Sequence, residues 1–98
     1  MEEKFRQAVI KCSDEAQKLG VSGLKRLIAQ ADKHTMVGAV KENIRRGRVS
    51  DNFDDLAEKK LLRLSAEALV CGKQFGALFT DEEADFCLSV LLEAGYYG

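Results

Sequence analysis

Few residues in this chain have side chains that could catalyse a reaction or bind a metal ion. The chain has one histidine, His34, and three cysteines, Cys12, Cys71 and Cys87. A serine or cysteine nucleophile needs a general base beside it, and here that base would have to be His34. The cysteines are 59 and 16 residues apart, which matches no zinc-binding pattern. We therefore predict a protein that is not an enzyme, with no catalytic residue, metal ligand or cofactor.

Acidic residues cluster near the end of the chain, at Asp81, Glu82, Glu83 and Asp85. Such a cluster is able to hold a cation, but here it follows Thr80, and Thr80 with Glu83 has the pattern of a capping box. Carboxylates are favourable in the first turn of a helix because they offset its dipole. The pattern therefore predicts a helix N-terminus and not a cation site.

A basic segment is the best candidate for a functional surface. Lys41, Arg45, Arg46 and Arg48 are four bases within eight positions, where a predicted helix runs into a loop. One or two bases at a helix C-terminus are explained by the helix dipole, but four suggest a surface that meets an anionic partner. The partner would be an acidic protein surface or a nucleic acid. A pI of 5.8 and the lack of aromatic residues among the bases favour a protein.

Two tyrosines, Tyr96 and Tyr97, stand near the end of the sequence. Tyrosine is enriched at the energetic centres of protein interfaces, so both are predicted partner-binding residues together with the basic segment. The alternative is that they pack on the core.

A short stretch resembles the turn of the helix-turn-helix motif found in many bacterial repressors. The resemblance covers residues 16–22, with Ala16 four residues before Gly20 and with Ser22 after it. It implies a DNA-binding role for the neighbouring bases. The sequence departs from the motif at Glu15 and at Arg26, where that family has apolar residues. Leu-Gly-Val-Ser is equally the end of one helix followed by the start of another.

Helical periodicity predicts three helices in the first half of the chain. Apolar residues between Phe5 and Leu19 recur at steps of three and four, and Gly20 ends that helix. Ser22 is the predicted N-cap of the second helix. The third runs from near Thr35 to about Arg46 and is followed by a polar loop over residues 47–52.

The second half predicts two helices. The longer runs from Phe53 to Gly72 or Gly76 and is apolar on more than one side, as expected for a central helix or a dimer interface. The last begins after Thr80 and ends at Gly95. One apolar face is predicted on this last helix, formed by Ala84, Cys87, Leu88, Leu91 and Leu92. We therefore expect one all-α domain over residues 1–98, a compact bundle or orthogonal array of about five helices.

Composition and charge limit the classes of protein to which this chain can belong. Hydrophobic residues make up 46% of the chain and charged residues 32%, with no proline and no stretch apolar enough to span a membrane. The charged N-terminus lacks a signal core and the cysteine count is odd, so we expect a cytoplasmic protein. Residues 20–49 hold seven bases and two acids, whereas residues 50–98 hold four bases and ten acids.

These features predict a regulator, inhibitor or adaptor that binds another protein through a charged patch and an apolar helix face. Self-association is possible because the two charge halves are complementary. The alternative is a DNA- or RNA-binding regulator that uses the basic region from Lys25 to Arg48.

Overall fold

The fold, taken from a computed structural model, is described for residues 2–31 and 35–96. This part of the chain is all-α and compact, about 29 × 25 × 24 Å, and the predicted fold class is confirmed. Its elements are α1 (Glu2–Lys18), α2 (Lys25–Ala31), α3 (Met36–Arg45), α4 (Phe53–Glu58), a 3-10 turn (Leu62–Leu64), α5 (Ala66–Cys71), a second 3-10 turn (Gly76–Leu78) and α6 (Asp81–Glu93). His34 and Tyr97, which carried sequence-based predictions, lie outside the described residues. No helix within the described ranges combines the length and hydropathy that a membrane crossing requires.

Two clusters of apolar side chains form the core, and α1 contributes to both. The first surrounds Phe5, whose ring meets the rings of Phe75 and Phe79 edge-on, with centroids 5.2 and 5.4 Å apart. The second is built by the end of α1, the segment from α4 to the first 3-10 turn, and α6. Its buried members are Ala16, Val21, Phe53, Leu56, Leu62, Leu64 and Leu91. Burial of α1 in both clusters explains why its periodicity is so regular in the sequence.

Three helices end in the same motif, in which a left-handed glycine closes the last turn. Gly20, Gly47 and Gly95 follow α1, α3 and α6 with φ angles of 85°, 69° and 84°. At the end of α6 the Gly95 N–H donates to the Leu92 carbonyl, and the Tyr96 N–H donates to the Leu91 carbonyl, both at 3.0 Å. These are the two hydrogen bonds of a Schellman motif. The helix ends predicted at Gly20 and Gly95 are therefore confirmed.

The prediction of one long helix from Phe53 to Gly72 or Gly76 is wrong. The segment is divided into α4, a 3-10 turn and α5. Because the chain turns twice, apolar residues that would lie on different sides of one helix all face the interior. The buried ones are Phe53, Leu56, Leu62, Leu64, Ala66 and Val70. The apolar surplus of this segment is accounted for by the core, and it does not need a dimer interface.

Lys60 is the residue that ends α4. It has φ 61°, and among the described residues it is the only one other than glycine with a positive φ. The Lys60 N–H donates to the Ala57 carbonyl at 3.2 Å, and the Leu61 N–H donates to the Leu56 carbonyl at 2.7 Å, so the Schellman pattern is repeated. The sequence has no glycine here to mark the helix end. The helical periodicity therefore predicted one continuous helix across Lys60.

Replacement of Lys60 by glycine is expected to stabilise the protein. A side chain in the left-handed region costs about 1 kcal/mol that glycine does not pay, so Lys60→Gly should raise the free energy of unfolding by up to about that amount. Lys59→Gly is the matched control, because Lys59 has φ −91° and gains nothing from glycine. Urea denaturation of both variants checks this. A loss of stability in Lys60→Gly equal to that in Lys59→Gly would contradict it.

Caps set the other helix starts. The Thr80 hydroxyl accepts a hydrogen bond from the Glu83 N–H at 3.2 Å, and the Glu83 carboxylate accepts one from the Thr80 N–H at 2.8 Å. The predicted capping box is therefore confirmed. The predicted cap at Ser22 is wrong, because α2 begins at Lys25 and the Arg26 N–H donates to Asp51 at 3.2 Å. Sequence reasoning missed Asp51 because it lies 25 residues farther along the chain.

Candidate functional site

The basic segment is partly neutralised by its own helix. The Glu42 carboxylate on α3 accepts a hydrogen bond from the Arg45 guanidinium and one from Arg46 Nε at 2.8 Å. Desolvation raises the pKa of Glu42, but the Arg45 charge and the contacts with Arg46 outweigh it, so the pKa lies below its ordinary value. Glu42 is thus ionised at neutral pH and offsets one of the two arginine charges.

Lys41 is occupied in joining α3 to α6. Its Nζ lies 2.7 Å from Glu83 Oε1 and 5.2 Å from the centroid of the Phe79 ring. Desolvation raises the pKa of Glu83, but its hydrogen bonds with Lys41 and Thr80 and the Lys41 charge outweigh this and lower it. Because Glu83 also belongs to the capping box, Lys41 supports the start of α6. Its role in the fold therefore accounts for its charge.

The predicted partner-binding residues do not form one site. Lys41 and Arg45 line an open groove of about 680 Å³ between α3 and α6, whereas Arg46 and Arg48 do not line it. Tyr96 lines a different recess, formed with the segment after α4. The groove is mixed in charge and partly apolar. Its lining residues are Gly38, Lys41, Glu42, Ile44, Arg45, Thr80, Glu82, Glu83 and Phe86.

The segment that resembles a helix-turn-helix has features that count against DNA contact. α2, in the place of a recognition helix, is seven residues long. Such a helix presents its N-terminal residues to the DNA, and here the Asp51 carboxylate lies against that end, 3.2 Å from the Arg26 nitrogen. A carboxylate there repels phosphate and opposes the exposed charges of Lys25 and Arg26.

The outer face of α6 exposes large apolar side chains. Within residues 2–31 and 35–96 four large hydrophobic residues are exposed: Leu19 at 46%, Leu88 at 40%, Leu92 at 54% and Tyr96 at 37%. Leu88 and Leu92 are four residues apart on one helix and so lie on the same side of it. The Schellman motif places Tyr96 immediately after their helix. We call Leu88, Leu92 and Tyr96 the α6 face.

The sequence-based prediction that Leu88 and Leu92 point into the core with Cys87 and Leu91 is wrong. Cys87 and Leu91 are completely buried, whereas Leu88 and Leu92, the next residues in the sequence, point outwards. α6 has more apolar residues than one helix side can hold, and it contacts the rest of the protein on one side. Hydropathy along α6 shows this surplus but does not show which residues remain outside.

The helix that carries the α6 face is acidic. α6 contains five carboxylates and no lysine, arginine or histidine. A single row at helical spacing runs along α6 and consists of Asp81, Asp85, Leu88 and Leu92. The two acids of this row lie towards the N-terminus of the helix. Asp81, Glu82, Asp85 and Glu93 are exposed. Of the five, only Glu83 forms an ion pair within the part of the chain that is described.

The cysteines lie in apolar surroundings. Cys87 is completely buried, and Cys12 and Cys71 are half-buried against the two core clusters. Desolvation is the main cause that raises the pKa of each thiol, so all three are protonated at neutral pH and are poor nucleophiles. Among the described residues, no group of three or more histidine, cysteine, aspartate or glutamate side chains is arranged to hold a metal ion.

Comparisons with protein-family profiles, with curated proteins and with solved structures found no match to this chain. Any statement about function therefore depends on the chain's own surface.

Proposed function

We propose that this protein is a non-catalytic binding module, acting as a regulator, inhibitor or adaptor, and that it binds another protein through the α6 face. The observation that supports this most is the exposure of Leu88 and Leu92 on one side of α6, with a third exposed apolar residue, Tyr96, just after the helix. Apolar residues exposed singly are ordinary, but neighbouring large apolar residues exposed on one side of a helix and flanked by charged residues are typical of an interaction surface.

The α6 face has the composition that binding requires. Leucine side chains provide apolar area, and a tyrosine contributes a large ring with few rotatable bonds. The acids around them form the polar rim that interfaces usually have. The basic segment is a weaker candidate because Lys41 pairs with Glu83, and Glu42 pairs with both Arg45 and Arg46.

We place this activity in the cytoplasm. All three cysteines are free, and structural disulfides are rare in that compartment.

Affinity capture from host extract, compared between variants, tests the proposal. We expect wild type to retain a partner protein that Leu88→Ser/Leu92→Ser loses, because serine removes the apolar contact without altering the charge. Full burial of a leucine side chain is worth about 1.5–3 kcal/mol, so the double variant should bind at least tenfold more weakly. Both side chains are exposed, and we expect the variant to fold normally, with an unchanged circular dichroism spectrum.

Leu19→Ser is the matched control. Leu19 is as exposed as the α6 leucines but lies after α1, so its replacement should leave capture unchanged. Equal retention of the partner by wild type and by the double variant would overturn the proposal. Loss of capture with Leu19→Ser alone would do so as well.

A further inference from the structure

We propose that the occupant of the α6 face is an amphipathic helix of the partner protein, with lysine or arginine beside its apolar residues. This inference rests on the proposed function and names the chemistry of its partner. Two features of α6 support it: the row that joins acids to leucines, and the absence of any base in the helix.

Charge complementarity favours a basic partner. Asp81 and Asp85 lie in the same row as the leucines, Glu93 is also exposed, and α6 carries no base, so the charge of the helix beside the leucines is negative. An acidic partner would bring like charges together, and a neutral one would desolvate the carboxylates without compensation. A lysine or arginine of the partner can lay its aliphatic stem over a leucine and extend its charged group to a carboxylate, so it contacts the apolar and the acidic residues at the same time.

Geometry favours a helix as the occupant. The row formed by Asp81, Asp85, Leu88 and Leu92 runs straight along about three turns of α6. A second helix packed along it would present residues at the same spacing of three and four. Partners that bind through amphipathic helices are recognised in this way, by apolar anchors one turn apart.

A second copy of this chain fits the α6 face poorly. In a parallel pairing of two α6 helices, Asp81 and Asp85 would meet the same acids of the other copy. In an antiparallel pairing they would lie against its Leu92 and Leu88. The first arrangement repels, and the second desolvates carboxylates against apolar side chains. Neither gives the acids a base, so pairing of two α6 helices is disfavoured.

Peptide titration of the full chain, followed by its amide NMR chemical shifts, tests the inference. The first probe is a synthetic peptide of about 18 residues with leucine at helical core spacing and lysine at the flanking positions. The second has glutamate in place of every lysine. We expect saturable binding of the lysine peptide, with shifts centred on Leu88 and Leu92. The glutamate peptide should bind at least tenfold more weakly.

Charge reversal on α6 tests the role of the acids. Asp85→Lys/Glu93→Lys should reduce the affinity for the lysine peptide about tenfold and increase that for the glutamate peptide. Neither residue forms an ion pair within the described ranges, so the fold should persist. Asp14→Lys/Glu58→Lys is the matched control, since it changes net charge equally on α1 and α4 and should leave the affinity unchanged.

Three outcomes would overturn the inference: equal binding of both peptides, shifts centred away from α6, or an equal loss of affinity in the Asp14/Glu58 control. Its failure is distinguishable from failure of the proposed function. If the natural partner is lost with Leu88→Ser/Leu92→Ser but is retained by Asp85→Lys/Glu93→Lys, the α6 face binds a protein and the basic helix is wrong. If neither variant loses the partner, the proposed function itself is wrong.

Discussion

Phe5→Ala should lower the free energy of unfolding by about 3–5 kcal/mol. The Phe5 ring is completely buried and meets Phe75 and Phe79 edge-on, so truncation leaves a cavity that two rigid rings border. The edge-on contacts add about 0.5–1.5 kcal/mol for each pair beyond the area they bury. Domains of this size are stable by about 5–15 kcal/mol, so this substitution removes a large share of the stability of the protein.

Urea denaturation followed by circular dichroism measures this loss. Phe5→Leu fills more of the site and should cost less than Phe5→Ala, although it also loses the ring contacts. Leu19→Ala removes an exposed side chain and should change stability by no more than about 0.5 kcal/mol. A cost below about 1 kcal/mol for Phe5→Ala would show that the three rings do not form the centre of the first cluster.

The second large effect concerns a buried carboxylate, Glu67 on α5. Glu67 is only 5% exposed, and it accepts hydrogen bonds from the Ser50 N–H and hydroxyl, both at 2.7 Å. These bonds tie the loop before α4 to α5. Ser50→Ala removes one donor from a buried acceptor and should cost about 1.5–3 kcal/mol at neutral pH, as measured by urea denaturation.

The stability due to Glu67 should depend on pH. Desolvation raises the pKa of Glu67 above its ordinary value of 4.5, and the hydrogen bonds from Ser50 reverse only part of this rise. The folded protein therefore holds the Glu67 proton more tightly than the unfolded chain. Its contribution is fully present below pH 4.5 and is lost as the pH rises through the folded pKa.

Glu67→Gln separates this effect from the other carboxylates. The variant does not ionise at this position, so its stability relative to wild type should increase from pH 4.5 towards neutrality. Glu42 and Glu83 have lowered pKa values, and both proteins should therefore lose stability as the pH falls below 4.5. A constant difference between wild type and Glu67→Gln across this range would contradict the prediction.

Local chemistry explains which features of the fold were predictable. Thr80 and Glu83 are three residues apart, and Gly20 and Gly95 act on the turn that precedes each of them, so neighbouring residues suffice to define these ends. The end of α4 was missed because Lys60 adopts a conformation that lysine has no intrinsic preference for. Neighbouring contacts impose it, including the burial of Leu56 and Leu62 in the second cluster.

The candidate site was predictable only in part. Tyr96 was predicted as a partner-binding residue from its residue type, and it is one of the three exposed residues of the α6 face. Leu88 and Leu92 were predicted as core residues, because an apolar residue on an apolar helix has no local mark that distinguishes inside from outside. The basic segment was identified correctly as a charge cluster, but the pairing of Lys41 with Glu83 spans 42 positions and depends on how α3 packs against α6.

The amino-acid sequence by itself determined the helical class, most helix ends and the scarcity of catalytic side chains, because these depend on residue types and on contacts within about four positions. Tertiary packing decided which charges are paired and which apolar residues remain exposed. The bases that looked most available are largely engaged in α3 and α6. The leucines that looked buried form the exposed face, because α6 packs against the protein through one side only.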